Sequence, residues 1–226
     1  MPVIPQRQIQ QFEEKVNLIR LQIVGAKSAH LDQRFLDRMD RSRSWLERSS
    51  IAVRGHDYEQ AFISLWIALN ALYGLPKWEM PEEQQRISNY MGQLWETDGE
   101  ALEECLSSLI RNVKIRSFLH NPFLIEAKWR GGMTKFMSSQ QGPQSVLDCL
   151  DHRQVGKVFE AILGRIYVLR NQIFHGCSTS NRGTNRGSLL PSIQVLMVIV
   201  PYFWGIMLCD NHPKKWGKLP YPRAAS

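Results

Sequence analysis

The stretch QVGKVFEAILGRIYVLRNQIFH, residues 154–175, has the clearest periodicity in the chain and is the main basis for predicting the fold. Its apolar positions follow one another at intervals of four, three, four, three and four: Val155, Phe159, Ile162, Ile166, Leu169 and Ile173. Because an α-helix turns by about 100° per residue, this spacing places the apolar side chains in one stripe. The stretch therefore predicts an amphipathic helix packed against a core, with Gly176 ending it.

Helical spacing recurs in most of the chain, and few stretches alternate with the period of two that is typical of strands. Residues 55–74 carry a broad apolar face and predict a central helix that ends at Gly74, and residues 81–95 and 99–119 predict two further helices. Residues 8–24 carry a stripe at Ile9, Phe12, Val16, Ile19 and Ile23. The predicted fold class is all-α, a bundle of about six or seven helices joined by short links.

Residues 34–53 predict a helix with one strongly basic face, while Phe35, Met39 and Leu46 turn toward the core. The simpler interpretation of the basic face is solvation, and the alternative is a phosphate-binding surface. Its arginines are Arg34, Arg38, Arg41, Arg43 and Arg48.

The composition is that of an ordinary globular protein, with 226 residues, 43% hydrophobic and 22% charged. The net charge of +7 and the pI of about 9.4 favour an anionic partner, with nucleic acid first and a membrane surface second.

Four scattered cysteines form no C-x-x-C pair, so the sequence predicts no metal site. The polar start of the sequence does not resemble a secretory signal, and we expect free thiols in the cytoplasm.

One segment is apolar enough to raise the question of a membrane span. No charged residue occurs between Arg186 and Asp210, and residues 193–209 are apolar almost throughout. Gln194, Pro191 and Pro201, all between Arg186 and Asp210, favour a helix buried at the centre of a soluble bundle. Membrane association is therefore the less favoured alternative.

The predicted domain organisation has three parts. Residues 1–50 form an N-terminal helical extension, residues 51–210 form the main helical domain, and residues 211–226 form an irregular basic tail rich in proline. The polar turn at residues 177–188 separates the last two helices and carries Arg182 and Arg186.

Three polar residues near the end of the 154–175 helix form the candidate site. On a helical wheel Arg170 lies at the edge of the core face, while Asn171 and His175 lie on the far side. Arg170 and His175 are five positions apart and do not converge on an ideal helix, so a site needs a distorted last turn or two chains. The structural alternative is a His175 that caps the helix and an Arg170 that is an ordinary surface charge.

Arginine and histidine together suit chemistry on phosphates. The guanidinium offers a planar, permanently charged fork that matches phosphate oxygens, and the imidazole exchanges a proton near neutral pH. RNA carries its own nucleophile, the 2′-hydroxyl beside each phosphodiester, so such a site could cleave RNA without a metal or a cofactor.

The run RNQIFHG at residues 170–176 resembles the R-x4-H motif of the HEPN superfamily, with the frequent asparagine after the arginine. Residues 62–74, FISLWIALNALYG, are similar to the central helix of its ApeA-like branch. The resemblance covers roughly residues 51–209. It implies a HEPN-like helical bundle, in which two chains commonly bring their motifs into one cleft.

Several functional expectations follow from this resemblance. Active HEPN proteins are metal-independent endoribonucleases of toxin–antitoxin and phage-defence systems that leave a 2′,3′-cyclic phosphate. Arg170 would hold the scissile phosphate and His175 would transfer protons. Asn171 would be an orienting polar residue of the site. Arg165, Arg182 and Arg186 are predicted to contact RNA, and an antitoxin or regulatory protein is an expected partner. Other HEPN domains are inactive modules that bind RNA or protein, and this alternative stays open.

Overall fold

The computed structural model describes residues 3–28, 31–76, 79, 82–125, 143–175, 186–210 and 215–220. These residues form eight α-helices and one short 3-10 turn, and none of them lies in a β-strand, so the predicted all-α class is confirmed. The 3-10 turn spans Pro122–Leu124. The helices are α1 (Gln6–Ser28), α2 (Gln33–Arg54), α3 (Tyr58–Tyr73), α4 (Glu83–Asn112), α5 (Ile115–His120), α6 (Pro143–Asp151), α7 (Val155–Phe174) and α8 (Arg186–Cys209).

Helix α8 lies at the centre of the bundle and packs against α1, α3, α4, α5 and α7. Its apolar sequence allows it to face neighbours on most of its circumference. By length and composition, Gly187–Cys209 is the one helix among the described residues that could cross a membrane, but 67% of its apolar window is buried inside the protein. That burial is what a core helix shows, and length and composition alone are weak evidence for a span.

The N-terminal helices belong to the same core as the rest of the chain. The predicted stripe of α1 is buried from Ile9 to Ile23, and α1 packs against both α2 and α8. The predicted domain boundary at residue 50 falls inside α2, which continues to Arg54 and packs along α3. Residues 3–50 therefore pack as part of the helical bundle.

Aspartate caps explain where α2 and α3 begin. Asp32 caps α2 by accepting hydrogen bonds from the backbone N–H groups of Arg34 and Phe35, at 2.9 and 3.1 Å. Asp57 caps α3 by accepting a hydrogen bond from the backbone N–H of Gln60 at 3.1 Å.

The two helices predicted at residues 81–95 and 99–119 differ from the structure, because residues 83–112 form one helix with a kink at Asp98.

The prediction of a solvated basic face on α2 is wrong for Arg38, which is 1% exposed. Its Nη1 donates to carbonyls at the end of α3, at 2.7 to 3.2 Å, and its Nη2 donates to carbonyls of the C-terminal segment, at 3.1 and 3.4 Å. Burial lowers the pKa of Arg38 to about 10. The accepting carbonyls belong to Ala71, Leu72, Gly74, Gly217 and Lys218.

The C-terminal segment 215–220 contains no helix, and it contributes Trp216 to the core. Trp216 is 3% exposed and its Nε1 donates to the backbone oxygen of Asp210 at 3.3 Å. Gly217 has a φ of +71°, and a Cβ there would lie 2.5 Å from the side chain of Leu75. Only glycine fits this position, because the backbone is left-handed and the space is filled.

We predict that Arg38→Met lowers the free energy of unfolding by at least about 3 kcal/mol, because several buried carbonyls lose their donor. Urea denaturation of the full chain measures this effect. Arg48→Met is the matched control, since Arg48 is exposed on the same helix, and it should change stability by less than about 0.5 kcal/mol. Equal urea midpoints for the two variants would contradict the structural role of Arg38.

Candidate active site at the end of helix α7

Helix α7 carries the three candidate catalytic residues in its last turn and at its C-cap. Its apolar stripe is buried as predicted from Val155 to Leu169, whereas Ile173 is only half-buried. The helix packs mainly on α4 and α6, and it ends at Phe174. The core therefore holds α7 until the last turn, where the helix emerges from it.

Two local contacts among the described residues hold Arg170. Its Nη1 donates to Oδ1 of Asn171 at 2.9 Å, and its guanidinium lies 4.6 Å from the centroid of the Phe174 ring. The Arg170 Nε is buried and has no hydrogen-bond partner among the described residues. Contacts on the flat face and one edge thus orient the guanidinium, while one of its donors is still unsatisfied.

His175 is the C-cap of α7 and its side chain is exposed. Its backbone N–H donates to the carbonyl of Asn171 at 3.0 Å, which closes the last turn. Five helical positions separate His175 from Arg170, or about 140° around the axis. The helix therefore presents the imidazole and the guanidinium of one chain on different sides.

Two exposed aromatic side chains flank this helix end, and neither was identified from the sequence. Phe174 is 49% exposed, and Phe123, in the 3-10 turn, is 52% exposed. Gln172 connects the two elements, because its Nε2 donates to the backbone oxygen of Phe123 at 2.8 Å. Phe174 was visible in the FHG sequence, but the hydrogen bond from Gln172 to a turn about 50 residues earlier had no sequence signal.

The residues predicted to contact RNA are placed very differently. Arg165 is 3% exposed, and its Nε donates to the backbone oxygen of Leu119 at 2.8 Å. Burial lowers its pKa to about 10. This placement favours a structural role for Arg165, and its RNA contact stays a prediction. Arg182 lies outside the described residues, and so does the side chain of Arg186, whose backbone begins α8.

The candidate site shows no feature of a metal centre in the part of the chain that the structure describes. No group of three His, Cys, Asp or Glu side chains there could hold a metal ion. The chemistry available at the end of α7 is instead that of a fixed cation and an exposed imidazole, which can bind an anion and transfer a proton.

Comparisons with known proteins give no further assignment. The chain matches no protein-family model, no curated protein and no solved structure. The HEPN resemblance of residues 170–176 and 62–74 therefore stays a prediction that rests on those residues.

We predict that Arg165→Lys lowers the free energy of unfolding by roughly 1–3 kcal/mol, because lysine keeps the charge but cannot reproduce the bond to Leu119. Urea denaturation measures the change. The control is Lys157→Arg, which exchanges the same two residue types at an exposed position of α7. If Arg165 were instead a phosphate contact, Arg165→Lys would leave stability unchanged.

Proposed function

We propose that this protein is a metal-independent endoribonuclease of the HEPN type that acts as a homodimer. It cleaves RNA through attack of a 2′-hydroxyl on the adjacent phosphate and needs no cofactor. The observation that carries the proposal is the arrangement at the end of α7. There the partly exposed side chain of Arg170 is oriented by Asn171 and Phe174, and His175 is exposed.

The chemical step assigns one role to each residue. The His175 imidazole takes the proton of the 2′-hydroxyl, and the 2′-oxygen then forms a bond to phosphorus. The bond from phosphorus to the 5′-oxygen breaks, and a protonated imidazole returns a proton to that oxygen. Arg170 binds the phosphate oxygens on which charge accumulates, and Asn171 keeps the guanidinium in place. The products are a 2′,3′-cyclic phosphate and a 5′-hydroxyl.

A second copy of the chain is required because one helix does not bring Arg170 and His175 together. The outer side of α7 can accept such a copy: Lys157 and Glu160 are exposed, and a side chain at Gly164 would meet nothing within 4 Å. A two-fold dimer pairs the same surface of both chains, so two α7 ends can lie side by side.

The biological setting follows only from the resemblance. A ribonuclease of this type fits a toxin–antitoxin or phage-defence system in the cytoplasm, with an antitoxin or regulatory protein as a further partner. The net charge of +7 agrees with an RNA substrate.

Cleavage of RNA in the presence of EDTA tests the proposal directly. We expect the full chain to cut structured and unstructured RNAs, and His175→Ala to lower the rate by about 10²-fold or more, as is usual for loss of a general acid–base group. The cyclic phosphate is identified by its resistance to a phosphatase that removes only phosphomonoesters.

The matched control for this test is His152→Ala. His152 is an exposed histidine just after α6, at the opposite end of α7 from His175, and about 30 Å separates the two ends at 1.5 Å per residue. Its replacement should leave the cleavage rate unchanged. RNA binding without cleavage by the wild-type chain would instead support the inactive binding module.

Mixing two inactive variants tests whether the site is shared between chains. If Arg170 of one chain works with His175 of the other, Arg170→Ala and His175→Ala chains form mixed dimers in which one of the two sites is intact. After equilibration of equal amounts, activity should recover to about a quarter of the wild-type value. A mixture as inactive as each variant alone would show that the residues act within one chain.

A further inference from the structure

We infer that a groove beside α5 binds the sugar–phosphate backbone of a single-stranded RNA that enters the site at the end of α7. This α5 groove lies between α5, the 3-10 turn and the start of α8, and its volume is about 750 Å³. The inference rests on the proposed function for the identity of the strand. The residues that argue for it are Lys114, Arg116, His120, Asn121, Phe123 and Ser188.

The groove is lined by basic side chains on one short helix. Lys114 precedes α5, His120 ends it, and Arg116 lies one turn from His120, with all three side chains exposed. These three nitrogen-bearing side chains are spread along about 9 Å of helix. This length exceeds the distance between successive phosphates of one strand, so the three side chains can contact more than one phosphate.

The electrostatic balance of the groove favours an anion. Among the described residues, none that line it is acidic. Arg116 forms an ion pair with Asp151, but both side chains are largely exposed, so this pair is weak and can be replaced by a phosphate. Lys114 adds a positive charge, and the imidazole of His120 adds a group that can hydrogen-bond to a phosphate oxygen.

The edge of the groove carries a fixed aromatic ring. Two hydrogen bonds from the Asn121 side chain stabilise the 3-10 turn. Its Oδ1 accepts from the N–H of Phe123 within the turn at 3.0 Å, and its Nδ2 donates to Oγ of Ser188 in α8 at 2.9 Å. The Phe123 ring is 52% exposed at this edge. A base that leaves the stack can lie on such a ring, and this is how unpaired RNA is commonly bound.

One hydrogen bond connects the groove with the candidate active site. The backbone oxygen of Phe123 accepts the hydrogen bond from Gln172, which follows Asn171 on α7. A strand whose backbone follows α5 and whose base stacks on Phe123 therefore arrives at the last turn of α7. Phe174, also about half exposed, offers the next stacking surface there. Basic side chains followed by spaced aromatic rings favour a single-stranded nucleic acid over an acidic protein.

Binding measured without cleavage tests the groove separately from the chemistry. The His175→Ala chain is titrated into a fluorescein-labelled oligouridine, and fluorescence anisotropy is followed at several salt concentrations. Lys114→Glu should weaken binding at least about tenfold and lower the slope of log K against log salt by about 0.7. Phe123→Ala should weaken binding by about fivefold or more, with the slope unchanged.

The control for the charge reversal is Arg48→Glu, at an exposed position of α2, which packs mainly on α1 and α3. If the Lys114 and Phe123 variants bind RNA as tightly as this control does, the inference that the α5 groove binds RNA is wrong, even if the wild-type chain cleaves RNA. If both variants lose binding, the inference is supported, even if the wild-type chain cleaves nothing and the proposed ribonuclease activity fails.

Discussion

The constraint on which the structure depends is that α8 has no polar face. A helix that is apolar around its whole circumference has to be covered on nearly every side, and α1, α3, α4, α5 and α7 provide that cover. Trp204 shows how complete the burial is, since its ring is fully buried and its Nε1 still finds the backbone oxygen of Met39 at 3.1 Å. Cover of α8 fixes α4 against it, and α7 is positioned in turn by packing mainly on α4 and α6.

A second anchor is the buried guanidinium of Arg38. Desolvation of a charge is expensive, and here several backbone carbonyls offset it by accepting hydrogen bonds from one side chain. Those carbonyls come from the end of α3 and from residues 217 and 218, so Arg38 joins three parts of the chain that are far apart in sequence. The C-terminal segment is consequently fixed against the bundle although it has no helix of its own.

Periodicity was enough to predict which side of each long helix is buried, because the apolar stripe of α7 and that of α1 repeat over several turns. Periodicity did not predict burial where contacts with a distant element determine whether a side chain is buried. Arg38 shares the spacing of solvated arginines, and only the carbonyls around it explain its burial. The kink at Asp98 also looked like a gap between two helices, since a loss of periodicity does not distinguish a bend from a break.

At the candidate site, the sequence identified Arg170, Asn171 and His175 but not the surface that supports them. The buried stripe holds α7 firmly only as far as Leu169, and Ile173 is half-buried. Beyond that point the hydrogen bond from Gln172 to the 3-10 turn connects the helix end with another element. A ligand that contacts Phe123 therefore touches the turn to which Gln172 is bonded, and Gln172 follows Asn171, which orients Arg170. We expect strand binding at this turn to affect the geometry of the site.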